Sequence, residues 1–318
     1  MKRTYTFLGV ALLVAGLGLG ASAENAVSVL DIAPGVGQLG AGGAGIAVVR
    51  GAETLYYNPA GLAGLPGISF SSFYASQMGV ANYSAFCLAL RGFAVAAELY
   101  NTGSISGYDA AGNLIPGELG YSSSAYMFGF GVDPSMFSFL PKLPFSFSIG
   151  GVLKVVSTKI ADVAGSGFAF DLAFRTAFPS VSLGPIPVSD AAFGITLGNL
   201  FGSVSYVGAE DNFVMDFAIG LAAKVLGVVS VAADAHLAGG MSFGVTYEPV
   251  PTLALRLGIL SKGETSITAG VGLNVQGFLI DYAFVSHSVG ATHRIGLTLD
   301  FSALDIGALG GMLRRILP

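Results

Sequence analysis

The chain has 318 residues and a formal net charge of −5; 53% of its residues are hydrophobic and 10% are charged. Its mean hydropathy of +0.72 is too high for an ordinary soluble surface and predicts lipid as the main solvent. The acidic balance argues against a nucleic-acid partner, and the single cysteine, Cys87, excludes a disulfide framework.

The N-terminus has the features of an export signal. Lys2 and Arg3 precede an uncharged apolar run over 6–20, and Ala21-Ser22-Ala23 matches a small-x-small cleavage site. The alternative, a transmembrane anchor, is disfavoured because a spanning helix needs about 20 residues. We therefore expect residues 1–23 to be a cleaved signal peptide.

Residues 24–66 form a glycine-rich stretch without strand alternation of its own. Gly40-Ala-Gly-Gly-Ala-Gly45 matches a dinucleotide-binding pattern, but no strand precedes it and Glu53 is too near to bind a ribose. Asn58-Pro59 forbids helix at Asn58 and can end a short helix over 52–57. The alternative is that this turn merely starts the first strand.

Beyond residue 66, an alternation of period two is the main signal. The nearest candidate for a spanning helix, 217–233, has Lys224 at its centre, whereas two strands with a turn at Gly227 avoid placing a charge in mid-bilayer. Apolar residues alternate with polar ones in about fourteen segments, as in Thr292–Phe301, where Ile295 and Arg294 belong to opposite faces. The predicted strands are 67–77, 81–91, 92–101, 121–132, 143–158, 165–178, 191–200, 213–225, 227–238, 239–248, 251–262, 265–275, 277–288 and 291–301.

This pattern predicts an all-β fold, a membrane-spanning antiparallel up-and-down β-barrel over residues 67–301. A soluble β-sandwich is the alternative, because alternation alone does not distinguish a protein core from lipid. Tyrosines near strand ends are the candidates for an interfacial aromatic girdle, since tryptophan is absent: Tyr74, Tyr83, Tyr100, Tyr121, Tyr247 and Tyr282.

The polar parity places charges of both signs in the lumen. These candidate lumen residues are Glu98, Lys154, Asp171, Arg175, Asp216, Lys224, Asp234, Arg256, Asp281 and Arg294. Because an unpaired buried charge is costly, we expect a structural ion-pair network in preference to a ring that selects ions.

Residues 302–318 continue beyond the last predicted strand, whereas barrels of this kind typically end at that strand. It is either a short interfacial helix with Arg314 and Arg315 near its end or a frayed tail. Elsewhere, His236, His287 and His293 lack metal-ligand spacing, and no serine lies in a Gly-x-Ser-x-Gly elbow. We therefore predict no catalytic residues, metal site or cofactor.

Three stretches carry a resemblance to a known family: Gly42-Gly43-Ala44-Gly45-Ile46-Ala47, Tyr56-Tyr57-Asn58-Pro59-Ala60-Gly61-Leu62 and Thr292-His293-Arg294-Ile295-Gly296-Leu297. Together the chain resembles the long-chain fatty-acid transporter (FadL-like) superfamily of outer-membrane barrels, most of all its shorter PorV/PorQ branch. The resemblance implies about fourteen strands and an N-terminal hatch over residues 24–66 that plugs the barrel and contains Gly42, Gly43, Gly45, Asn58, Pro59, Ala60 and Gly61.

Three functions follow as hypotheses for an exported outer-membrane protein in contact with lipid. The first is passive uptake of a hydrophobic small molecule, suggested by the hatch-like segment and by apolar residues in the 101–120 loop. The second is a PorV-like adaptor that holds secreted or surface proteins without transporting a solute. The third is a mainly structural barrel.

Overall fold

The computed structural model describes residues 29–32, 34–77, 79–109, 111–137 and 146–303, and within these ranges fourteen long strands form one closed antiparallel sheet. Each strand pairs with the next along the chain, and the last pairs with the first from Ser69 opposite Asp300 to Gln77 opposite Thr292. The prediction of a closed all-β barrel with about fourteen strands is confirmed. The strands are β1 Ser69–Gln77, β2 Ala81–Leu90, β3 Phe93–Asn101, β4 Tyr121–Val132, β5 Ser146–Ile160, β6 Val163–Ala177, β7 Ile186–Tyr206, β8 Asp216–Val225, β9 Val229–His236, β10 Gly240–Val250, β11 Leu253–Lys262, β12 Glu264–Val275, β13 Phe278–His287 and β14 Gly290–Asp300.

Side chains on the strands alternate between the outside of the barrel and its lumen. Ile295 and Leu257 are 62% and 64% exposed, whereas Arg294 and Arg256, on the opposite parity, are 5% and 3% exposed. The outside is therefore apolar and the inside carries the charges, which is the inverse of a soluble protein and suits hydrocarbon as the outer solvent.

Tight turns of left-handed residues join several strands, as the sequence predicts. Leu226 and Gly227, with φ of 55° and 71°, separate β8 from β9, so the apolar stretch around Lys224 is two strands. Gln276 and Gly277, with φ of 52° and 88°, form a second such turn between β12 and β13. Glycine favours this turn because it adopts positive φ without steric strain. The predicted strand over 239–248 ends too early, because Pro249 and Val250 still belong to β10, whose register with β11 shifts after Tyr247.

The predicted strand over 191–200 is too short, since β7 extends from Ile186 to Tyr206. Its ends pair with two short strands, Val181–Leu183 and Ala209–Asn212. Its alternation is interrupted between Leu197 and Ser203, where the register with β6 shifts twice. The long 101–120 connection also contains structure, a hairpin of Ile105–Tyr108 and Leu114–Leu119.

The segment before β1 lies inside the barrel, where it forms short helical turns. These are α1 Gly37–Gly40 and α2 Thr54–Tyr57, with 3-10 turns at Val29–Asp31, Gly51–Glu53 and Pro59–Gly64. Helix α1 packs against β11, β12 and β13, and the turn Pro59–Gly64 packs against β4, β5 and β6 on the opposite wall. The segment therefore crosses the lumen, and most of its apolar side chains are buried.

Two predicted regions lie outside the described residues: the signal peptide over 1–23, and the tail over 302–318 apart from Ser302 and Ala303. Among the residues described, no helix is long and apolar enough to cross a membrane. We call the rim at Ser69 and Asp300 the proximal rim, and the opposite rim, with the hairpin over 105–119, the distal rim.

Candidate functional site

The wall of the lumen is shaped to the backbone of the N-terminal segment by glycines. A methyl group on Gly244 would overlap the Ala41 carbonyl oxygen, and one on Gly270 would come within 3.0 Å of Gly40 Cα. A side chain at such a position would push the segment off the wall, so these glycines allow backbone to pack on backbone. Other wall glycines whose Cβ would meet the segment are Gly129, Gly131, Gly150, Gly194, Gly220, Gly258 and Gly296.

The predicted hatch glycines lie on this surface at the turn that follows α1. Gly42 donates its N–H to Thr268 Oγ1 at 2.9 Å, and the same hydroxyl donates to the Gly40 carbonyl at 3.1 Å. Gly43 adopts a φ of +76°, a conformation that few residues other than glycine take easily. Gly45 donates its N–H to Asp234 Oδ2 at 2.7 Å.

The stretch from Asn58 to Gly61 is held at the opposite wall. The Asn58 side chain accepts from Ala60 N at 3.1 Å and donates to the carbonyls of Ile46 and Phe174 at 2.8 and 3.0 Å. Its backbone is extended, with φ −159°, so α2 ends there as Asn-Pro requires.

The residues after Asn58 pack tightly as well. Pro59 and Ala60 present backbone to the wall glycines Gly131 and Gly150, and a Cβ on Gly61 would meet Thr54 at 2.6 Å. A short helix over 52–57 is thus present, divided into the 3-10 turn at Gly51–Glu53 and α2.

Some of the predicted lumen charges pair with one another. Lys154 Nζ lies 2.7 Å from Asp171 Oδ2, and Arg256 Nη1 lies 2.8 Å from Asp281 Oδ1. Others pair with residues outside the predicted set of lumen charges: Lys224 Nζ lies 2.6 Å from Glu248 Oε2, and Asp216 Oδ2 lies 2.5 Å from His236 Nδ1.

Asp234 and Arg175 bind backbone instead of an opposite charge, which corrects the expectation that each lumen charge pairs with another. Asp234 Oδ2 accepts from the N–H groups of Gly45 and Ile46 at 2.7 and 3.1 Å. Arg175 Nε donates to the Ala47 carbonyl at 3.0 Å. The physical reason is that an irregular segment inside a barrel has backbone donors and acceptors that no sheet satisfies, so wall side chains satisfy them.

Two charged residues of the segment itself, Arg50 and Glu53, complete the largest network. Arg50 Nη2 lies 2.5 Å from Asp281 Oδ2, so Asp281 bridges Arg50 and Arg256. Glu53 Oε1 accepts from Val36 N at 3.0 Å, and Glu53 Oε2 lies 3.5 Å from Arg50 Nε. Burial raises the pKa of the Glu53 carboxyl, against the opposing effect of Arg50. The i,i+3 spacing of Arg50 and Glu53 was the sequence signal that could have indicated this pair.

Glu98 and Arg294 meet around Tyr83, near the distal rim. The Arg294 guanidinium lies 5.5 Å from the centre of the Tyr83 ring, the Tyr83 hydroxyl donates to the Ile32 carbonyl at 3.3 Å, and Glu98 is buried on the adjacent strand β3. Tyr83 is fully buried, so its assignment to an interfacial girdle is wrong. Side chains along β2 alternate between lumen and outside, and Tyr83 is one of those that face the lumen. Tyr74, Tyr247 and Tyr282, in contrast, lie on the outside and are 51%, 45% and 37% exposed.

A cavity of about 360 Å³ lies between the segment and the wall toward the proximal rim. One side is formed by segment residues that include Ala44, Ala47 and Val49, and the other by β8, β9 and β10. The Lys224–Glu248 ion pair lines it, as do Arg50 and Arg175. In the described part of the chain, no group of three or more His, Cys, Asp or Glu side chains is arranged to hold a metal ion.

Comparison with known proteins supports the fold and leaves the family open. No family model and no curated protein matches the chain. Among solved structures, a deletion mutant of the TodX monoaromatic hydrocarbon channel superposes with a TM-score of 0.51 at 12% identity, covering 83% of this chain and 97% of that one.

Two further barrels superpose less well. They are the Pseudomonas putida toluene transporter TodX, with a TM-score of 0.46 at 12% identity over 88% of this chain and 98% of that chain, and the CymD monoaromatic hydrocarbon channel, with a TM-score of 0.46 at 14% identity over 83% and 96%. At these identities the likeness concerns the fold alone. Assignment to the PorV/PorQ branch stays a prediction.

Proposed function

We propose that this protein is a FadL-like outer-membrane barrel that lets hydrophobic small molecules cross passively. The observation that carries the proposal is that the chain's own N-terminal segment lies inside the lumen, where α1 contacts one wall and the turn Pro59–Gly64 contacts the other. Hydrogen bonds and ion pairs hold that segment next to a cavity of about 360 Å³.

The outer surface supports a membrane location. Large apolar side chains are exposed on the outward parity around the barrel, among them Phe128, Leu153, Leu257 and Ile295. An exposed apolar band on a closed barrel is the arrangement that hydrocarbon requires, because all strand backbone is paired within the sheet. Export by the expected signal peptide over 1–23 would place the chain in the envelope.

The interior disfavours a wide ion-selective pore. The charges at mid-lumen are bonded to one another or to backbone, as Lys154–Asp171 and Arg256–Asp281 show. An ion that entered would compete with contacts already made, whereas a neutral solute leaves them intact. The fold resemblance to the TodX monoaromatic hydrocarbon channel mutant agrees with a neutral hydrophobic permeant.

Uptake into vesicles tests the proposal. Because hydrocarbons cross phospholipid readily, the vesicles need an outer leaflet of lipopolysaccharide, with and without the purified mature protein. We expect faster entry of a radiolabelled monoaromatic hydrocarbon in the presence of the barrel and no change for a sugar of similar size. Equal hydrocarbon entry with and without protein contradicts the proposal, and stoichiometric co-purification of a surface protein would then favour the adaptor role.

A further inference from the structure

A second cavity, of about 190 Å³, lies at the proximal rim between the turn Pro59–Gly64 and the ends of β4, β5 and β6. We call it the rim cavity. The lining side chains that determine its chemistry are Arg91, Asp133, Ser146, Phe147, Ser148 and Arg175.

Two arginines share the rim cavity without a counter-charge. Each donates its Nε–H to a carbonyl of the N-terminal segment, Arg91 to Ala63 at 3.3 Å and Arg175 to Ala47 at 3.0 Å. Among the residues that the structure describes, neither guanidinium forms an ion pair, and the terminal nitrogens of both are without a hydrogen bond. Positive charges gathered in one cleft repel each other and raise the local concentration of anions, so the rim cavity is suited to an anion.

The arrangement of the donors favours a phosphate group. Arg91 comes from the turn between β2 and β3 and Arg175 from the end of β6, with β4 and β5 between them in the wall. Ser146 and Ser148, on the lumen parity of β5, add two hydroxyl groups to the cavity. A carboxylate has two oxygens in one plane and is satisfied by a single guanidinium, whereas the tetrahedral oxygens of a phosphate accept from donors on several sides.

The rim cavity also borders the apolar outside of the barrel. Phe147 lines it from the parity opposite to the two serines, and its ring stacks on Phe174 with 5.7 Å between the ring centres. Ile149 and Leu153 continue this outward face along β5 and are 46% and 42% exposed. A phosphate in the cavity would therefore lie next to a surface that acyl chains cover, which favours a phospholipid over free phosphate as its source.

The position of the cavity agrees with a phospholipid ligand. The longest connection between strands of the barrel, over 102–120, lies at the distal rim. Outer-membrane barrels have their longer loops on the outside and their shorter turns in the periplasm. The proximal rim is accordingly the periplasmic side, where the leaflet consists of phospholipid.

One acidic residue of the rim cavity bears on the kind of headgroup. Asp133 Oδ1 accepts from Ser135 N at 2.8 Å, which fixes the carboxylate, and Asp133 Oδ2 has no hydrogen bond within the described ranges. A phosphoethanolamine headgroup carries an ammonium group close to its phosphate. A free carboxylate oxygen beside two guanidinium groups matches both charges of such a headgroup.

We propose that the rim cavity binds the phosphoethanolamine headgroup of a phospholipid from the periplasmic leaflet, with the phosphate between Arg91 and Arg175 and the ammonium group at Asp133. The site is separate from the passage of a solute, because it lies at the rim and takes its ligand from the membrane.

The first test measures lipid binding by native mass spectrometry of the purified mature barrel in a non-ionic detergent, titrated with dioleoylphosphatidylethanolamine. We expect Arg91→Ala to weaken formation of the one-to-one complex about tenfold or more, since a hydrogen bond between charged groups is lost. Arg175→Lys, which keeps the positive charge and guards against misfolding, should weaken it less. Lys159→Ala, which removes an exposed cation at the distal rim, is the matched control and should bind as the wild type does. Wild-type binding in both arginine variants overturns the proposal.

Two further ligands identify the source of the phosphate. Dioleoylglycerol has the same chains without a phosphate, and we expect it to bind equally weakly to the wild type and to Arg91→Ala. Inorganic phosphate should displace the phospholipid only at a concentration far above that of the lipid. Displacement by inorganic phosphate at an equal concentration overturns the assignment to a lipid.

The second test replaces Asp133 by asparagine, which keeps the oxygen that accepts from Ser135 N. Phosphatidylethanolamine and phosphatidylglycerol compete for the barrel in one sample. We expect Asp133→Asn to lower the ratio of their affinities about threefold, because the ammonium group loses its partner and the glycerol headgroup has none to lose. An unchanged ratio overturns the placement of the ammonium group. Both tests measure binding alone, so a wild type that transports no hydrocarbon would contradict the proposed function and leave this site to be judged by its own results.

Discussion

At the scale of single residues, Asp281 connects the segment to the wall, because its two oxygens face Arg50 of the segment and Arg256 of β11. The side chains of Asp281 and Arg256 are each 2% exposed, so little water remains to solvate either charge. Removing one member of such a buried group strands its partners and costs far more than the group contributes.

Asp281→Asn should therefore destabilise the folded barrel by about 3–5 kcal/mol, because the Arg256 guanidinium loses its ion-pair partner and Arg50 keeps only the longer contact with Glu53. Glu248→Gln is the matched comparison: its pair with Lys224 is part-exposed, at 38% and 27%, and its loss should cost about 0–1 kcal/mol. Urea unfolding in lipid bilayers measures both, followed by circular dichroism because the chain has no tryptophan. Equal unfolding midpoints for the two variants would argue against a buried Arg–Asp–Arg bridge.

Glu53 makes the stability depend on pH. Burial raises the pKa of its carboxyl above the ordinary value of 4.5, so the folded state binds this proton more tightly than the unfolded state does. Its contribution is present in full below pH 4.5 and is lost as the pH rises through the raised folded pKa.

The difference in unfolding free energy between wild type and Glu53→Gln should consequently fall as the pH rises above about 4.5. Glutamine keeps an acceptor for Val36 N, so the comparison isolates the titration. A difference that does not vary with pH, or that rises, would show that Glu53 is stabilised as an anion by Arg50.

At the scale of elements, the strands were predictable and the interior of the barrel was less so. Alternation in segments such as Thr292–Asp300 can be read from consecutive residues, because it needs no knowledge of distant contacts. The pattern is clear because apolar side chains that face lipid alternate with polar or charged side chains that face the lumen. Strand β7 was predicted too short, because its register shifts between Leu197 and Ser203 break the period of two. Asn58-Pro59 located the end of α2, since that constraint is local too.

The partners of the lumen charges were beyond the sequence. The position of the segment in the lumen decides which wall residue contacts Gly45 or Arg50. Gly45 and Asp234, for example, are 189 residues apart, and no pattern of residue spacing in the sequence predicts their hydrogen bond. The close fit of the interior glycines to the segment likewise becomes visible only when wall and segment meet in space.

The contact of α1 and its following turn with the wall gives a prediction for this element. Gly244→Ala would place a methyl group on the Ala41 carbonyl, where backbone lies on both sides, and should cost about 1–3 kcal/mol of unfolding free energy. Gly64→Ala is the control: no atom lies within 4 Å of its Cβ position, and its effect should stay within about 0.5 kcal/mol. Similar losses in both variants would mean that the segment does not press on β10.

At the scale of the whole molecule, the barrel wall and the segment form one structure, in which the wall supplies hydrogen-bond partners for a chain that has no regular structure. A barrel of fourteen strands is wide enough to need filling, and the segment fills it from α1 on one wall to Pro59–Gly64 on the other. The open space left in the lumen is therefore set by the segment as well as by the width of the sheet.

The most direct measurement is disulfide formation between Gly40→Cys and Ala283→Cys in the mature barrel with Cys87→Ser. The Cβ separation of 3.6 Å lies within the range of about 3.5–4.5 Å that a disulfide needs. A segment seated in the lumen predicts near-complete crosslinking under mild oxidation, detected by mass spectrometry of linked peptides. Absence of that linkage in protein that is folded by circular dichroism would place α1 elsewhere and contradict the occupied lumen.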